Sequence, residues 1–351
     1  MKGIRNVTPY VPGEQPNFTD MIKLNTNENP YPPSPKVAKT LKNFSTNQLK
    51  RYNSVDNLSL KESLAQSYHL TPNHFVVGNG SDEILAFCFL AFFNCSDPVL
   101  FPTITYGFYR IWADLFKIPY KEIPLNKNYE INFEDYNQLN GGIIIANPNA
   151  PTGIFKSIEE LAQLLEQNSE SVVIIDEAYI DFAGTSAITL LERYPNLVIV
   201  QTFSKSRSLA GLRVGYAIGN PELMNVLAAI KSSFNPYSVD MIAESLAKSA
   251  VEDSLYYEEY SRKICQTRKW FDEKIKAVGF KSLPSSTNFL MVTHPKLSME
   301  KVYQQLEGNN IFVRYFSKPT ELQQFLRISI GTQEEMAEVY QILENILKRS
   351  I

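Results

Sequence analysis

Residues Ile143–Tyr179 read IIIANPNAPTGIFKSIEELAQLLEQNSESVVIIDEAY, and this stretch decides the fold class. It opens on an unbroken apolar burst, Ile143–Ala146, and reaches a second, Val172–Ile175. Between them, Ser157–Gln167 carries Ile158, Leu161, Leu164 and Leu165 on one helical face, and Ser157 with Glu160 forms a capping box at its start. A half-exposed strand alternates apolar and polar residues. These bursts do not, so they predict a sheet covered on both faces. Similar bursts recur at Phe75–Val77, Val99–Phe101, Leu197–Val200 and Val214–Ile218. Strand, helix, strand, repeated, predicts an α/β fold with a mainly parallel, doubly wound sheet.

The chain has 351 residues, more than a single core usually holds, so a second domain is expected. Residues 1–36, rich in Pro, Asn and Thr, read as an N-terminal arm lying on another surface. Residues 37–238 would form the large domain and 239–351 a smaller α+β domain. The last third offers short strands at Asn288–Val292, Ile311–Arg314 and Phe325–Ile330. A final amphipathic helix follows, with Met336, Val339, Tyr340, Leu343, Ile346 and Leu347 on one stripe and Thr332 with Glu335 to cap it.

Composition excludes several classes. With 34 Lys+Arg against 37 Asp+Glu, a nucleic-acid surface or polybasic membrane patch is not expected. The first twenty residues hold no apolar core of signal-peptide length. The longest apolar run, Ile84–Phe93, is about half of a membrane span and reads as a buried helix. Three His and three Cys are too few for a zinc framework or a disulfide scaffold, and no metal site is expected. Cys88, Cys95 and Cys265 form no CxxC and point to a reducing cytoplasm. Catalysis, if present, would fall to other residue types.

In an open α/β sheet, ligands bind beyond the carboxyl ends of the strands. Five such endings carry polar residues: Gly78–Glu83, Thr103–Tyr106, Asn147–Gly153, Asp176–Tyr179 and Thr202–Lys205. The first is a glycine-bearing turn opening into a helix. It could be an ordinary helix start or an anion seat, and it has neither a Walker loop nor a dinucleotide fingerprint. Asp176, at the end of a buried strand, needs a partner. On its own it reads first as a helix cap or structural ion pair, and otherwise as the counter-ion of a bound protonated heterocycle. Lys205 lies 29 residues after Asp176, one strand–helix–strand unit, so the two would end neighbouring strands. Most lysines are surface residues, but a partly desolvated one can attack a carbonyl to form a Schiff base. Thr202, Ser204 and Arg213 around it suit a phosphate. Lysine, carboxylate, hydroxyl donors and an anion seat together meet the needs of pyridoxal 5′-phosphate.

With these residues in place, the chain resembles the fold type I pyridoxal-phosphate aminotransferases of classes I and II, and within them the histidinol-phosphate branch. The likeness runs from Thr8-Pro9-Tyr10 to the last helix. It is most specific at Thr202-Phe203-Ser204-Lys205 with Ala210-Gly211-Leu212-Arg213, then at Asn149–Gly153 and Asp176–Tyr179. The resemblance implies an aspartate-aminotransferase-like large domain and a homodimer with shared sites. It implies that Lys205 holds the cofactor and moves a proton at the substrate, that Asp176 pairs with the pyridinium nitrogen, and that Asn149 and Tyr179 hydrogen-bond the phenolic oxygen. Tyr106 would stack on the ring. Ser81 and Asp82 through their backbone, with Ser204, Arg213 and Thr202, would hold the phosphate. Tyr52 would reach that phosphate from the neighbouring subunit, although it also reads as a packing aromatic. Arg327, Arg314 and Tyr10 match residues that bind substrate, with a surface ion pair as the other reading of Arg314.

The activity implied is transamination between L-histidinol phosphate and 2-oxoglutarate. An aromatic amino-acid aminotransferase or a threonine-phosphate decarboxylase would need the same Lys205 and Asp176. A non-catalytic cofactor-binding regulator would need a DNA-binding domain ahead of the arm. The departures from the family pattern, Ala150 and Ser206, fall where no chemistry is assigned.

Overall fold

The computed structural model describes residues 3–5, 7, 9, 15, 16 and 18–350. Its strands, in chain order, begin with β1 (Ile22–Lys23), β2 (Phe75–Gly78), β3 (Val99–Pro102), β4 (Tyr120–Ile123), β5 (Gly142–Ala146) and β6 (Val173–Asp176). They continue with β7 (Leu197–Thr202), β8 (Gly215–Gly219), β9 (Lys281–Ser282), β10 (Phe289–Thr293), β11 (Ile311–Phe312), β12 (Arg314–Tyr315) and β13 (Leu326–Ser329). Seven of them form the main sheet, in the order β2-β8-β7-β6-β5-β3-β4. From β7 to β4 every pairing is parallel, whereas β8 runs antiparallel to both β7 and β2. The sheet is therefore mainly parallel with one reversed strand.

The unbroken apolar bursts have a direct physical reading. Side chains alternate between faces along a strand. Ile143, Ile145, Val173, Ile175, Leu197 and Ile199 join the core on one face. Ile144, Ile174, Val198 and Val200 join the core on the other. Each is fully buried, a gain of roughly 1.5–3 kcal/mol per side chain, so a polar residue at any of these positions would be costly. Helices Leu58–Tyr68, Ile158–Gln167 and Met241–Val251 cover the first face. Helices Gly80–Phe92, Phe108–Phe116 and Pro221–Phe234 cover the second. Helix Gly80–Phe92 contains most of the apolar run, with Ile84, Leu85, Cys88 and Phe89 inside. Among the described residues no helix is long and apolar enough to cross a membrane.

The expected caps form. Glu160 N–H donates to Ser157 Oγ while Ser157 N–H donates to the Glu160 carboxylate at 2.8 Å. Thr332 and Glu335 do the same at the last helix, Gln333–Ser350. Met336, Val339, Leu343 and Ile346 of that helix are buried, and Tyr340 packs against the same core. That core also holds Phe271 and Ile275 of helix Ser254–Ala277, together with the antiparallel sheet β12-β13-β10-β9.

Three features depart from the sequence expectation. Helix Met241–Val251 lies beyond residue 238, yet its Ala243, Leu246, Ala247 and Ala250 pack into the large sheet's core. The stretch Ile311–Arg314 is two strands in different sheets, broken at buried Val313, because β11 pairs with the arm strand β1 while β12 pairs with β13. Edge strand β4, Tyr-Lys-Glu-Ile, carries no apolar burst since only one of its sides is paired.

Candidate active site

The five strand endings meet at one edge of the sheet. β6 and β7 are parallel neighbours, with Asp176 in register with Val200, so Asp176 and Lys205 emerge side by side. The reversed β8 adds what a carboxyl end could not. Its amino end, Gly215, pairs with Gly78 on one side and Thr202 on the other, and so delivers the preceding Arg213 to the same edge. These ends surround a partly enclosed cavity of about 120 Å³. Ser81, Asp82, Tyr106 and Asp176 line it, and so do Tyr179, Thr202, Ser204, Lys205 and Arg213.

One end of the cavity is a cradle for an anion. The helix that starts at Gly80 points its first N–H groups there. Gly80 has φ +80, and a Cβ on it would lie 2.5 Å from Arg213 Nη2. A Cβ on Gly215 would overlap the backbone nitrogen of Ser81. Only glycine lets helix start, strand and guanidinium approach this closely. Arg213 donates to Ser204 Oγ at 3.2 Å and to Asp82 Oδ2 at 3.1 Å. Thr202 Oγ1 donates to Ser204 Oγ at 3.0 Å. The Tyr106 hydroxyl donates to Asp82 Oδ1 at 2.7 Å.

At the other end, Asp176 is only 5% exposed. Its carboxylate accepts from the Tyr109 hydroxyl at 2.8 Å and from Ala178 N–H at 3.1 Å. Burial outweighs these bonds and pushes its pKa up to about 6. Among the described residues, no Lys, Arg or His lies within ion-pair distance of it. Lys205 Nζ donates to the Thr26 carbonyl at 3.1 Å and sits 5.7 Å from the Tyr179 ring centroid.

Beside the cavity opens a wider cleft of about 560 Å³, shared by Tyr179, Lys205, Arg314 and Arg327. Arg314 and Arg327 are register partners on β12 and β13. Arg327 Nη2 donates to the Asn25 carbonyl at 2.9 Å, and its guanidinium lies 5.4 Å from the Phe289 ring centroid. Arg314 lies 5.5 Å from the Phe316 ring centroid.

Three expected residues stand apart. Asn149 is buried next to the cavity but does not line it. Its Nδ2 donates to the Ile104 carbonyl and to Thr152 Oγ1, and its Oδ1 accepts from Thr105. Tyr52 is 82% exposed and stacks on Tyr237, away from this chain's own cavity. Tyr10 lies outside the described residues.

Other residues at the site were not foreseen. Tyr109, which holds Asp176, lies three residues after Tyr106 at a helical spacing that could have flagged it. The arm segment Asn25–Asn29 touches Arg327, Lys205 and Tyr179, and its short polar letters gave no local signal. The buried Arg207 pairs with Asp181, which also accepts from Ser206 beside Lys205.

Comparison with known proteins agrees with this geometry. The family described as Aminotransferase class I and II matches residues 19–343. A histidinol-phosphate aminotransferase of Oceanobacillus iheyensis is 48% identical over 99% of this chain and 97% of its own length. The crystal structure of the histidinol-phosphate aminotransferase from Clostridium acetobutylicum superposes with a TM-score of 0.86 at 26% identity, covering 94% of this chain and all of that one. That of the Sinorhizobium meliloti enzyme, in complex with pyridoxal-5′-phosphate, gives 0.84 at 23% identity over 93% of this chain and 91% of that one. Pyridoxal 5′-phosphate is the cofactor, and the cavity fits it. A buried carboxylate that lacks a cation suits a pyridinium, and the bare-glycine cradle suits a phosphate. The chain belongs to the class I and II aminotransferase family and is a pyridoxal-phosphate-dependent transferase.

Proposed function

We propose that the chain transfers the amino group of L-histidinol phosphate to 2-oxoglutarate, giving imidazole acetol phosphate and L-glutamate, a step of histidine biosynthesis. The observation that carries this reading is the placement of Arg314 directly opposite Arg327 at the mouth of the cofactor cavity. Two like charges in register repel, and an anion between them reverses the sign. Histidinol phosphate has no α-carboxylate but ends in a phosphate, and glutamate offers a carboxylate to the same two guanidiniums in the other half-reaction. The named activity of the relative at 48% identity supports the same substrate.

When bound, pyridoxal 5′-phosphate supplies an aldehyde that carries the amino group and a protonated ring that takes up the electrons of a broken Cα bond. Lys205 anchors it and takes and returns the proton at the substrate Cα. Asp176 keeps the ring nitrogen protonated, with Tyr109 fixing the carboxylate. Tyr179 and Asn149 donate to the phenolic oxygen, which for Asn149 means exchanging the Ile104 carbonyl or Thr152 for that partner. Tyr106, which lines the cavity, would pack against the ring. The backbone N–H groups of Ser81 and Asp82, the Ser204 and Thr202 hydroxyls and Arg213 bind the phosphate. Asp82 acts through its backbone because its carboxylate already holds Arg213 and Tyr106. Exposed Tyr52 fits a homodimer in which Tyr52 of the partner subunit completes that phosphate site, and Tyr10 is taken as a substrate-binding residue. Three free cysteines fit a reducing cytoplasm.

A turnover panel tests the substrate. The purified holoenzyme is offered histidinol phosphate, aromatic amino acids and threonine phosphate, each with 2-oxoglutarate, and the cofactor spectrum is followed. Conversion by histidinol phosphate at the highest kcat/KM is expected. Inertness toward it, with CO₂ released from threonine phosphate, would overturn the assignment.

A further inference from the structure

We propose that Asn27, in the arm, is a positioning residue that sets the Tyr179 hydroxyl as a proton donor toward the cofactor's phenolic oxygen. This rests on the reading above that Tyr179 meets that oxygen. Asn27 is 1% exposed and 152 residues from Tyr179 in sequence, yet its Nδ2 donates to the Tyr179 hydroxyl at 2.8 Å. A phenol has one proton and two lone pairs. With one lone pair filled by the amide, the hydroxyl oxygen cannot turn its proton back toward Asn27, and the proton points into the cavity that Tyr179 lines.

The amide itself is fixed from the far side. Asn27 N–H donates to Ser329 Oγ at 3.0 Å, and Ser329 Oγ donates to Asn27 Oδ1 at 2.9 Å. With the Ser329 proton committed to Oδ1, Nδ2 is the end that faces Tyr179. Asn288 Nδ2 donates to the Asn27 carbonyl at 3.0 Å, which holds the backbone at its left-handed φ of +56. Asn288 and Ser329 are both buried. Ser329 lies two residues beyond Arg327 on β13, on the same face of the strand. The strand that carries the substrate's arginine thus also sets the proton of the cofactor's tyrosine, through one arm residue.

The sign of the effect follows from charge. A donor to the phenolic oxygen stabilises its negative charge. That charge is most exposed when the neighbouring Lys205 nitrogen has lost its proton, so the donor favours the deprotonated form and lowers the midpoint of the spectral pH titration. Misdirecting the Tyr179 proton raises that midpoint.

The test is a pH titration of the visible absorbance of the holoenzyme, without substrate, in wild type, Asn27→Ala, Tyr179→Phe and the double variant. The expectation is an upward shift of about 0.5–1 pH unit for Asn27→Ala, in the same direction as Tyr179→Phe, with no further shift in the double variant. If Asn27→Ala yields no holoenzyme, Ser329→Ala stands in. It frees the amide to rotate and should give a smaller shift of the same sign that also vanishes in the Tyr179→Phe background. A shift with Tyr179→Phe but none with Asn27→Ala or Ser329→Ala overturns the role of Asn27 and leaves that of Tyr179. No shift with Tyr179→Phe overturns the underlying reading as well. Additive shifts in the double variant place the action of Asn27 elsewhere and also overturn the proposal.

Discussion

The two halves of the site are built by different means. The cofactor cavity is made by strand ends of one sheet, and its residues arrive in short contiguous motifs held by local register. The wider cleft is lined by the arm, by β12 and β13, by residues that follow β3, and by Tyr179 and Lys205, which the two share. In the first half, position along a strand decides what a side chain meets. In the second, the arm also brings partners from far along the chain, as with Asn25 and Arg327 at a separation of 302. Contiguous motifs can thus build the cofactor cavity, while the neighbouring cleft also depends on the distant arm.

The sharpest way to break this comparison is at Lys205. Lys205→Ala should abolish the visible absorbance of the bound cofactor and lower kcat/KM by about 10⁴-fold or more. An absorbance and rate like those of wild type would remove Lys205 from the chemistry. On the substrate side, Arg327→Gln should cost roughly 10²-fold in kcat/KM for histidinol phosphate and leave the absorbance untouched. Arg314→Gln should cost less, since β12 holds it by only two register pairs. A spectral change in either arginine variant would show that the halves are not separable.

Asp176 allows a test by pH. In the cofactor-stripped protein burial pushes its carboxyl up to about 6, against an ordinary 3.8. The stability this lends is full below pH 4 and is lost as pH rises through 6. Asp176→Asn has no such loss. Its stability relative to wild type should therefore rise by roughly 2 kcal/mol between pH 4 and pH 7.5, read from urea midpoints of the stripped proteins. A pH-independent difference would mean that burial does not control this group. In the holoenzyme the same variant should bind cofactor more weakly and turn over far more slowly. The smallest effect belongs to a residue in neither half. Ser157→Ala removes a capping box and should cost about 1 kcal/mol of stability, seen as a drop of a few degrees in Tm, with turnover unchanged.

Much of the large domain was readable because its strands are buried on both faces and their apolar bursts are unbroken. The order of strands was not, and neither was the reversal of β8, since Val214–Ile218 looks the same in either direction. That reversal is what brings Arg213 to the edge. The smaller domain was readable at its last helix, where a periodic stripe and a cap agree, and poorly at Ile311–Arg314, where the two halves of one apolar stretch choose different partners. Helix Met241–Val251 misled because its buried face is mostly alanine, a weak marker of which core it joins. In the site, Asp176 and Lys205 stood out by following apolar bursts. Asn27, Asn25 and Thr26 did not, because two of them act through backbone carbonyls and the third through an amide whose partners lie in other elements.

The arm's pairing with β11 has a consequence for order in time. Ile22 and Lys23 are made early and find their strand partners only at Ile311 and Phe312. The sheet edge that cradles the cofactor is complete once β8 has emerged. During synthesis the strands that frame the cofactor cradle thus precede β12 and β13, which bring Arg314 and Arg327 to the wider cleft. A cofactor captured before β12 and β13 emerge would meet the large sheet without those two arginines, and the arm would pair with β11 last.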